Sequence, residues 1–418
     1  MSVTPLGHTA HFIRAFIAVV FTICMAQTAY ANSEDTYDLT YQVDLSDSDK
    51  YALVRIELGD DSGVTEFDFN LNDAFHSDLK ASGELEIDDG RARWLPPSKD
   101  AWLSLQVKMT HKRDSGGYDA LRKNDFAIFR GDDLIPPATV RGRKGIESRA
   151  TLHFTLPEGW TSVNSGWQKQ ADERSFKIDN PERRFDRPTG WFIAGALGTR
   201  REHLPDTHIV VSGPTGDDLR RMDVLSFVML NWPTLQEIVG TMPPKILMVM
   251  AGDPMWRGGL SGPNSLFVHS ARPMVSENGT STLLHELMHT LTRISGAQGD
   301  DWIAEGLAEY YSYTVLHRAG GLTDNRLKIV KDWLADWSKD IDQLRGGASS
   351  GERTARAALL FGELDAEIQA RTEGDKSLDN ATRAMMQLGE VSLEQLREIV
   401  EELTGEPSKV LANKLLED

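Results

Sequence analysis

His285-Glu286-Leu287-Met288-His289 sets two imidazoles four residues apart, with a carboxylate next to the first. The run from Leu283 to Leu291 holds good helix formers and neither Gly nor Pro, so it is expected to be helical. Residues four apart then lie on one face, where both imidazoles can converge on a single ion while Glu286 projects beside it. Zinc-assisted hydrolysis needs such a set. Three protein ligands leave one tetrahedral position for water, whose pKa falls to about 7. A carboxylate beside that water can take its proton as it attacks a polarised carbonyl.

A third ligand is expected from Trp302-Ile303-Ala304-Glu305-Gly306-Leu307-Ala308-Glu309, which opens a second helix after the reversal Ser295-Gly296-Ala297-Gln298-Gly299-Asp300-Asp301. Asp300 or Asp301 is expected to cap it. Two antiparallel helices would bring Glu305 opposite His285 and His289. Glu309, one turn further on the same face, would accept the remaining N–H of a liganding imidazole and hold its tautomer.

The elements that must carry this set follow from the patterning. Between Tyr37 and Pro157 short runs alternate apolar and polar residues, as in Tyr37 to Val43, Val64 to Phe69 and Trp102 to Val107, with turn-formers such as Gly59 to Gly63 and Asp88 to Gly90 between them. Period-two patterning at this spacing predicts an antiparallel β-domain. More strands are expected through Ile209-Val210-Val211. After Gly216 the texture changes: a helical pattern over Leu219 to Leu230, a compact apolar strand over Ile246 to Met250, a strand over Ser265 to Ser270, and mostly helix from Thr280. The residues after the loop Gly346 to Gly351 read as a helical bundle.

Residues 1–31 carry one basic residue, Arg14, an apolar run from Ala15 to Ala26, and the ending Ala29-Tyr30-Ala31. That reads as a cleaved signal peptide, since the run is shorter than the roughly 20 residues a spanning helix needs. The single cysteine, Cys24, falls inside it, so the mature chain has no disulfide; a chain of this length buries a large core without one. A periplasmic or secreted location without a stable membrane anchor after cleavage is expected. The formal charge of −18 makes nucleic acid a poor partner. The division expected is 1–31 signal peptide, 32–214 β-rich domain, 215–345 catalytic domain and 346–418 helical domain.

HELMH followed by WIAEGLAEYY resembles the gluzincin signature shared by aminopeptidase N and the glycyl aminopeptidases, in which a WLxEG-type segment supplies the glutamate ligand. The interval between His289 and Glu305 is three residues shorter than in aminopeptidase N. Asn124 to Gly131, followed by Phe154 to Trp160, is similar to the end of the N-terminal β-domain of the glycyl aminopeptidases. Leu359 to Met385 is similar to their C-terminal helical segment. The resemblance implies an α+β chain: an N-terminal antiparallel β-domain, a thermolysin-like zinc catalytic domain and a C-terminal helical bundle, without the PDZ domain the family often carries. It also implies His285, His289 and Glu305 as zinc ligands and Glu286 as general base.

Two departures qualify it. The family's GGLEH-type segment, whose glutamate holds the substrate's amino terminus, reads Gly258-Gly259-Leu260-Ser261-Gly262 here, with Ser261 in place of the acid. The tyrosine that hydrogen-bonds the oxyanion is replaced by Thr354 in Thr354-Ala355-Arg356-Ala357. Tyr310, Tyr311 and Tyr313 are the nearby phenols, with Arg353 and Arg356 as weaker donors, and losing such a donor typically costs 10²–10³ in rate. His269 is assigned no ligand role. The strand Ser265 to Ser270 is expected at the sheet edge beside the cleft, with open space around Gly258, Gly259 and Gly262 for a longer substrate.

The chain is therefore read as an exported zinc metallopeptidase acting on peptides or proteins, not a typical aminopeptidase. The alternatives are a catalytically weak zinc-binding interaction or assembly module derived from such a peptidase, and a zinc hydrolase acting on something other than peptides.

Overall fold

The computed structural model describes residues 36–114, 116–180, 184–216 and 219–417; the signal peptide expected over 1–31 lies outside them. The structure is α+β, with an N-terminal β-domain and a C-terminal helical region. Alternation in the sequence becomes alternation in burial: strand Thr36–Asp44 buries every second residue (Tyr37, Leu39, Tyr41, Val43), and Tyr51–Leu58 buries Ala52, Val54, Ile56 and Leu58. Such strands have one wet and one dry face. They sit in a seven-stranded sheet, with four- and five-stranded sheets packed against it. The shared core is aromatic, with Phe67, Trp94 and Phe69 stacked at 5.3–5.7 Å.

A further five-stranded sheet runs in the order Leu197–Leu204, Thr207–Pro214, Lys245–Ala251, Ser265–His269, Gly259–Gly262. The hairpin Leu197–Pro214 thus pairs with Lys245–Ala251, whose seven residues are all buried. A continuous apolar run of that kind is a strand covered on both faces. One face packs on Ile128, Trp191 and Ile193 of the β-domain, the other on the helices. Ser265–His269 is paired on both sides, in parallel to Lys245–Ala251 and antiparallel to Gly259–Gly262. The edge strand is therefore Gly259–Gly262, not Ser265–His269 as the sequence led us to expect. Its glycines and turn residues concealed a strand that forms because its partner is fixed in the sheet.

Helix Thr282–Thr292 starts where Ser281 accepts the Leu284 N–H at 3.3 Å and ends at Arg293 in the left-handed conformation. Leu283, Leu284, Leu287, Met288 and Leu291 hold it in the core. Helix Trp302–Arg318 follows, and neither Asp300 nor Asp301 caps it through its side chain. The Asp300 carboxylate is buried and bonded instead to Arg345 (2.8 Å) and to the Leu393 N–H (2.9 Å), while Asp301 takes the Ser349 N–H (2.7 Å). Both acids tie the helix start to the C-terminal region. Helix Glu352–Arg371 lies close along Trp302–Arg318: a Cβ on Gly306 would stand 2.5 Å from the Ala357 Cβ, so only glycine permits the approach. Trp302 and Phe361 stack across the same contact at 5.7 Å. Helices Leu378–Leu388 and Leu393–Thr404, each opened by a serine capping box, complete the bundle. Among the described residues no helix is long and apolar enough to cross a membrane.

Candidate metal centre

The two helices bring His285, His289 and Glu305 together, with one ligand atom from each lying within 4.8 Å of the others. His285 Nε2 and His289 Nε2 are 3.1 Å apart, and Glu305 lies 3.4 Å from each. Nitrogen and oxygen ligands at about 2.0–2.2 Å around a tetrahedral ion stand roughly 3.3–3.5 Å from one another, close to this triangle. Glu309 Oε2 lies 3.0 Å from His285 Nδ1. A carboxylate only accepts, so Nδ1 carries the proton and Nε2 offers its lone pair to the centre. Two imidazole lone pairs facing each other at 3.1 Å repel unless a cation or a proton sits between them. The donor set therefore fits a divalent ion such as zinc.

The electrostatics agree. Burial opposes charge on His285, but hydrogen bonds it donates to the Glu305 and Glu309 carboxylates outweigh it and raise its pKa well above the ordinary histidine range. Burial also opposes charge on Glu305, yet hydrogen bonds with His285 and His289 hold its carboxyl far below the usual carboxylate range. A field that draws a proton onto imidazole also draws a metal cation.

Glu286 stands beside this set, 8 % exposed. Burial, aided by Glu305, pushes its pKa up against the pull of His285 and His289, and the Ser261 backbone N–H hydrogen-bonds its carboxylate. Its backbone is fixed as well: Thr290 Oγ1 bonds the Glu286 carbonyl (3.0 Å) and the Ser265 carbonyl (3.2 Å), clamping helix to strand. The glycines expected to leave a gap are filled. A Cβ on Gly259 would meet Glu286 Cγ at 2.5 Å, one on Gly258 would meet the Trp256 ring at 2.1 Å, and one on Gly262 would meet Gly190 at 3.1 Å. Glycine serves here to let neighbours approach, which composition alone does not distinguish from empty space.

None of the candidate phenols points into the centre. Tyr310 donates to Asp365 (2.8 Å), Tyr311 to Asp379 (2.9 Å) and Tyr313 to the Ala358 carbonyl (3.5 Å), all buried away from it. Arg353 donates to Ala348 O and Arg356 to Glu363. His269 is buried, with Nδ1 accepting the Ala271 N–H. Thr354 does line the cleft, its Oγ1 3.1 Å from Ser349 Oγ. The cleft, about 390 Å³, also holds three indoles absent from the sequence reading: Trp256, Trp333 and Trp337. The last two, with Ile329, form an i, i+4, i+8 apolar stripe that periodicity could have revealed.

No family model matches the chain, and no curated protein matches it in sequence. Solved structures share its fold. An aminopeptidase N family protein from Idiomarina loihiensis is 14% identical with a TM-score of 0.59, over 84% of this chain and 70% of that one. Legionella pneumophila aminopeptidase A in complex with aspartic acid is 12% identical with a TM-score of 0.52, over 93% of this chain and 50% of that one. This chain thus spans half the length of the second. At these identities the likeness shows the fold; the finer resemblance to the glycyl aminopeptidases rests on sequence segments alone.

Proposed function

We propose that this protein is an exported, zinc-dependent metallopeptidase in which His285, His289 and Glu305 hold the ion and Glu286 is the general base. The observation that carries the reading is the pairing of a convergent His-His-Glu triangle with a carboxylate that does not join it. A purely structural site needs three or four ligands and has no use for Glu286. The fold, shared with aminopeptidase N family proteins, supports the same class. Export rests on residues 1–31 of the sequence.

A zinc ion in this site would supply Lewis acidity, polarising a substrate carbonyl and making water acidic enough to lose a proton near neutrality. The chain's own residues do the rest. Glu309 fixes the His285 ring and tautomer through its 3.0 Å contact. Glu286, held by Ser261 N–H and raised in pKa by burial, accepts a proton from water and returns it to the leaving amine. The edge strand Gly259–Gly262 lies beside it, where an extended peptide can add along its free side.

The engagement of Tyr310, Tyr311 and Tyr313 elsewhere favours a second reading, a catalytically weak zinc-binding module. The two readings differ in one experiment. Zinc content and peptide hydrolysis are measured for the parent, for Glu286→Gln, and for the double variant His285→Ala, His289→Ala. The peptidase reading expects about one zinc per chain, retained without hydrolysis in Glu286→Gln and lost in the double variant. Zinc retained by the double variant refutes the centre; a zinc-loaded parent that cleaves no peptide supports the module.

A further inference from the structure

Helix Asp324–Trp337 is capped by Thr323 and held to the core by Val330 and Leu334. The flank of the helix beside these two carries Ile329, Trp333 and Trp337, exposed by 45, 40 and 40 %. Large apolar side chains are ordinarily covered when a neighbour is in reach, and tryptophan has the largest area to cover. The two indoles touch each other, centroids 4.9 Å apart and planes tilted by 38°. Both line the same cavity as His285, Glu286 and Glu305. Trp256 enters that cavity from the loop after strand Lys245–Ala251, its ring lying on Gly258 and under the Arg113 guanidinium at 4.4 Å. The rest of the lining is mostly small and polar.

We propose that Trp333 and Trp337, with Trp256, form a specificity subsite of the metal cleft that selects peptides carrying an aromatic or large aliphatic side chain next to the scissile bond. The inference rests on the peptidase reading for the bond cleaved, not for the side chain bound. The cleft, some 390 Å³, has the size of a pocket that takes a side chain or a short peptide segment. The two indoles, in contact and tilted by 38°, present faces at an angle to each other and not the one flat platform on which a sugar ring stacks, and an apolar side chain can pack against them. Burying apolar side-chain area against the exposed indoles discriminates it from alanine by about 10-fold to 100-fold.

The test uses the full chain loaded with zinc and carrying Glu286→Gln, so that binding is read without cleavage. Two peptides, identical except for phenylalanine or alanine at the position beside the bond, are compared by fluorescence anisotropy. The phenylalanine peptide is expected to bind 10-fold to 100-fold tighter, and Trp333→Ala with Trp337→Ala to lower its affinity to near that of the alanine peptide at unchanged zinc content. Should the alanine variant lose its thermal transition, Trp333→Ser alone is measured, with at least 5-fold weakening expected. Equal affinity of the two peptides, or an undiminished preference in the tryptophan variants, overturns the proposal. Binding of an oligosaccharide in place of either peptide overturns it as well. If the parent binds the phenylalanine peptide selectively and does not cleave it, the subsite stands and the peptidase reading falls.

Discussion

Gly259→Ala is the smallest change that should separate the base from the metal. The added methyl would stand 2.5 Å from Glu286 Cγ, 2.9 Å from Glu286 Oε1 and 2.9 Å from Thr282 Cγ2. Carbon atoms rest at about 3.5–4.0 Å, so relief requires a displacement of roughly 1 Å. The Glu286 backbone cannot supply it, because Thr290 clamps that turn to Ser265. The side chain must swing, leaving the Ser261 N–H and the position beside the histidines. A misplacement of about 1 Å costs on the order of 10² in rate, and overpacking costs about 1–3 kcal/mol of stability. His285, His289 and Glu305 are untouched. The expected result is therefore zinc content equal to the parent, a lower melting temperature and hydrolysis slowed about 100-fold. Gly362→Ala is the control: its methyl would meet the Tyr310 ring at 3.7 Å, an ordinary contact. Gly259→Ala hydrolysing at the parent rate would refute the account of how Glu286 is held.

Glu309→Ala frees the His285 Nδ1 proton from its acceptor, and zinc affinity measured by competition with a chelator should fall about 10-fold to 100-fold; an unchanged affinity removes Glu309 from the centre. Lys245 is buried over the Phe176 ring, its ammonium donating to the Trp167 carbonyl at 2.7 Å, and burial, with Lys169 and Arg201 adding repulsion, pulls its pKa down from 10.5 to about 7. Between those values the unfolded chain holds the extra proton, so stability rises with pH from about 7 to 10.5 and the penalty is complete below 7. Its ceiling is roughly 5 kcal/mol, against about 1–3 kcal/mol for leaving the carbonyl unpaired. Lys245→Met should thus melt higher than the parent at pH 6 and no higher at pH 10; a difference independent of pH refutes the buried charge. Finally, the acids lining the cleft among the described residues, Glu286, Glu305 and Glu309, are each engaged within the centre. A peptide supplied free or N-acetylated should be hydrolysed at similar rates, and strong preference for the free amine would restore the aminopeptidase reading.

Local chemistry was legible wherever one segment carries its own pattern. Period-two alternation announced the strands of the β-domain because each buries one face whatever its partner. The spacing of His285 and His289 placed two imidazoles side by side because four residues make about one helical turn. Where meaning depended on a partner far along the chain, residue type misled. Asp300 and Asp301 are good caps by composition, yet Arg345, Ser349 and Leu393 recruit their carboxylates. Gly258 and Gly259 resemble a gap, yet Trp256 and Glu286 occupy the space a Cβ would take.

By itself, then, the sequence determined the helix bearing both imidazoles, the helix bearing Glu305, and their order around a short reversal, since helical periodicity is a property of neighbours. Tertiary structure alone decided that Glu305 comes within 3.4 Å of both imidazoles, that His285 is the one Glu309 reaches, that the three tyrosines turn away, and that Trp333 and Trp337 face the same cleft. Those facts depend on how closely Gly306 lets Glu352–Arg371 approach and on which strand ends the sheet. Distances between elements are set by packing across hundreds of residues, and no local run of side chains encodes them.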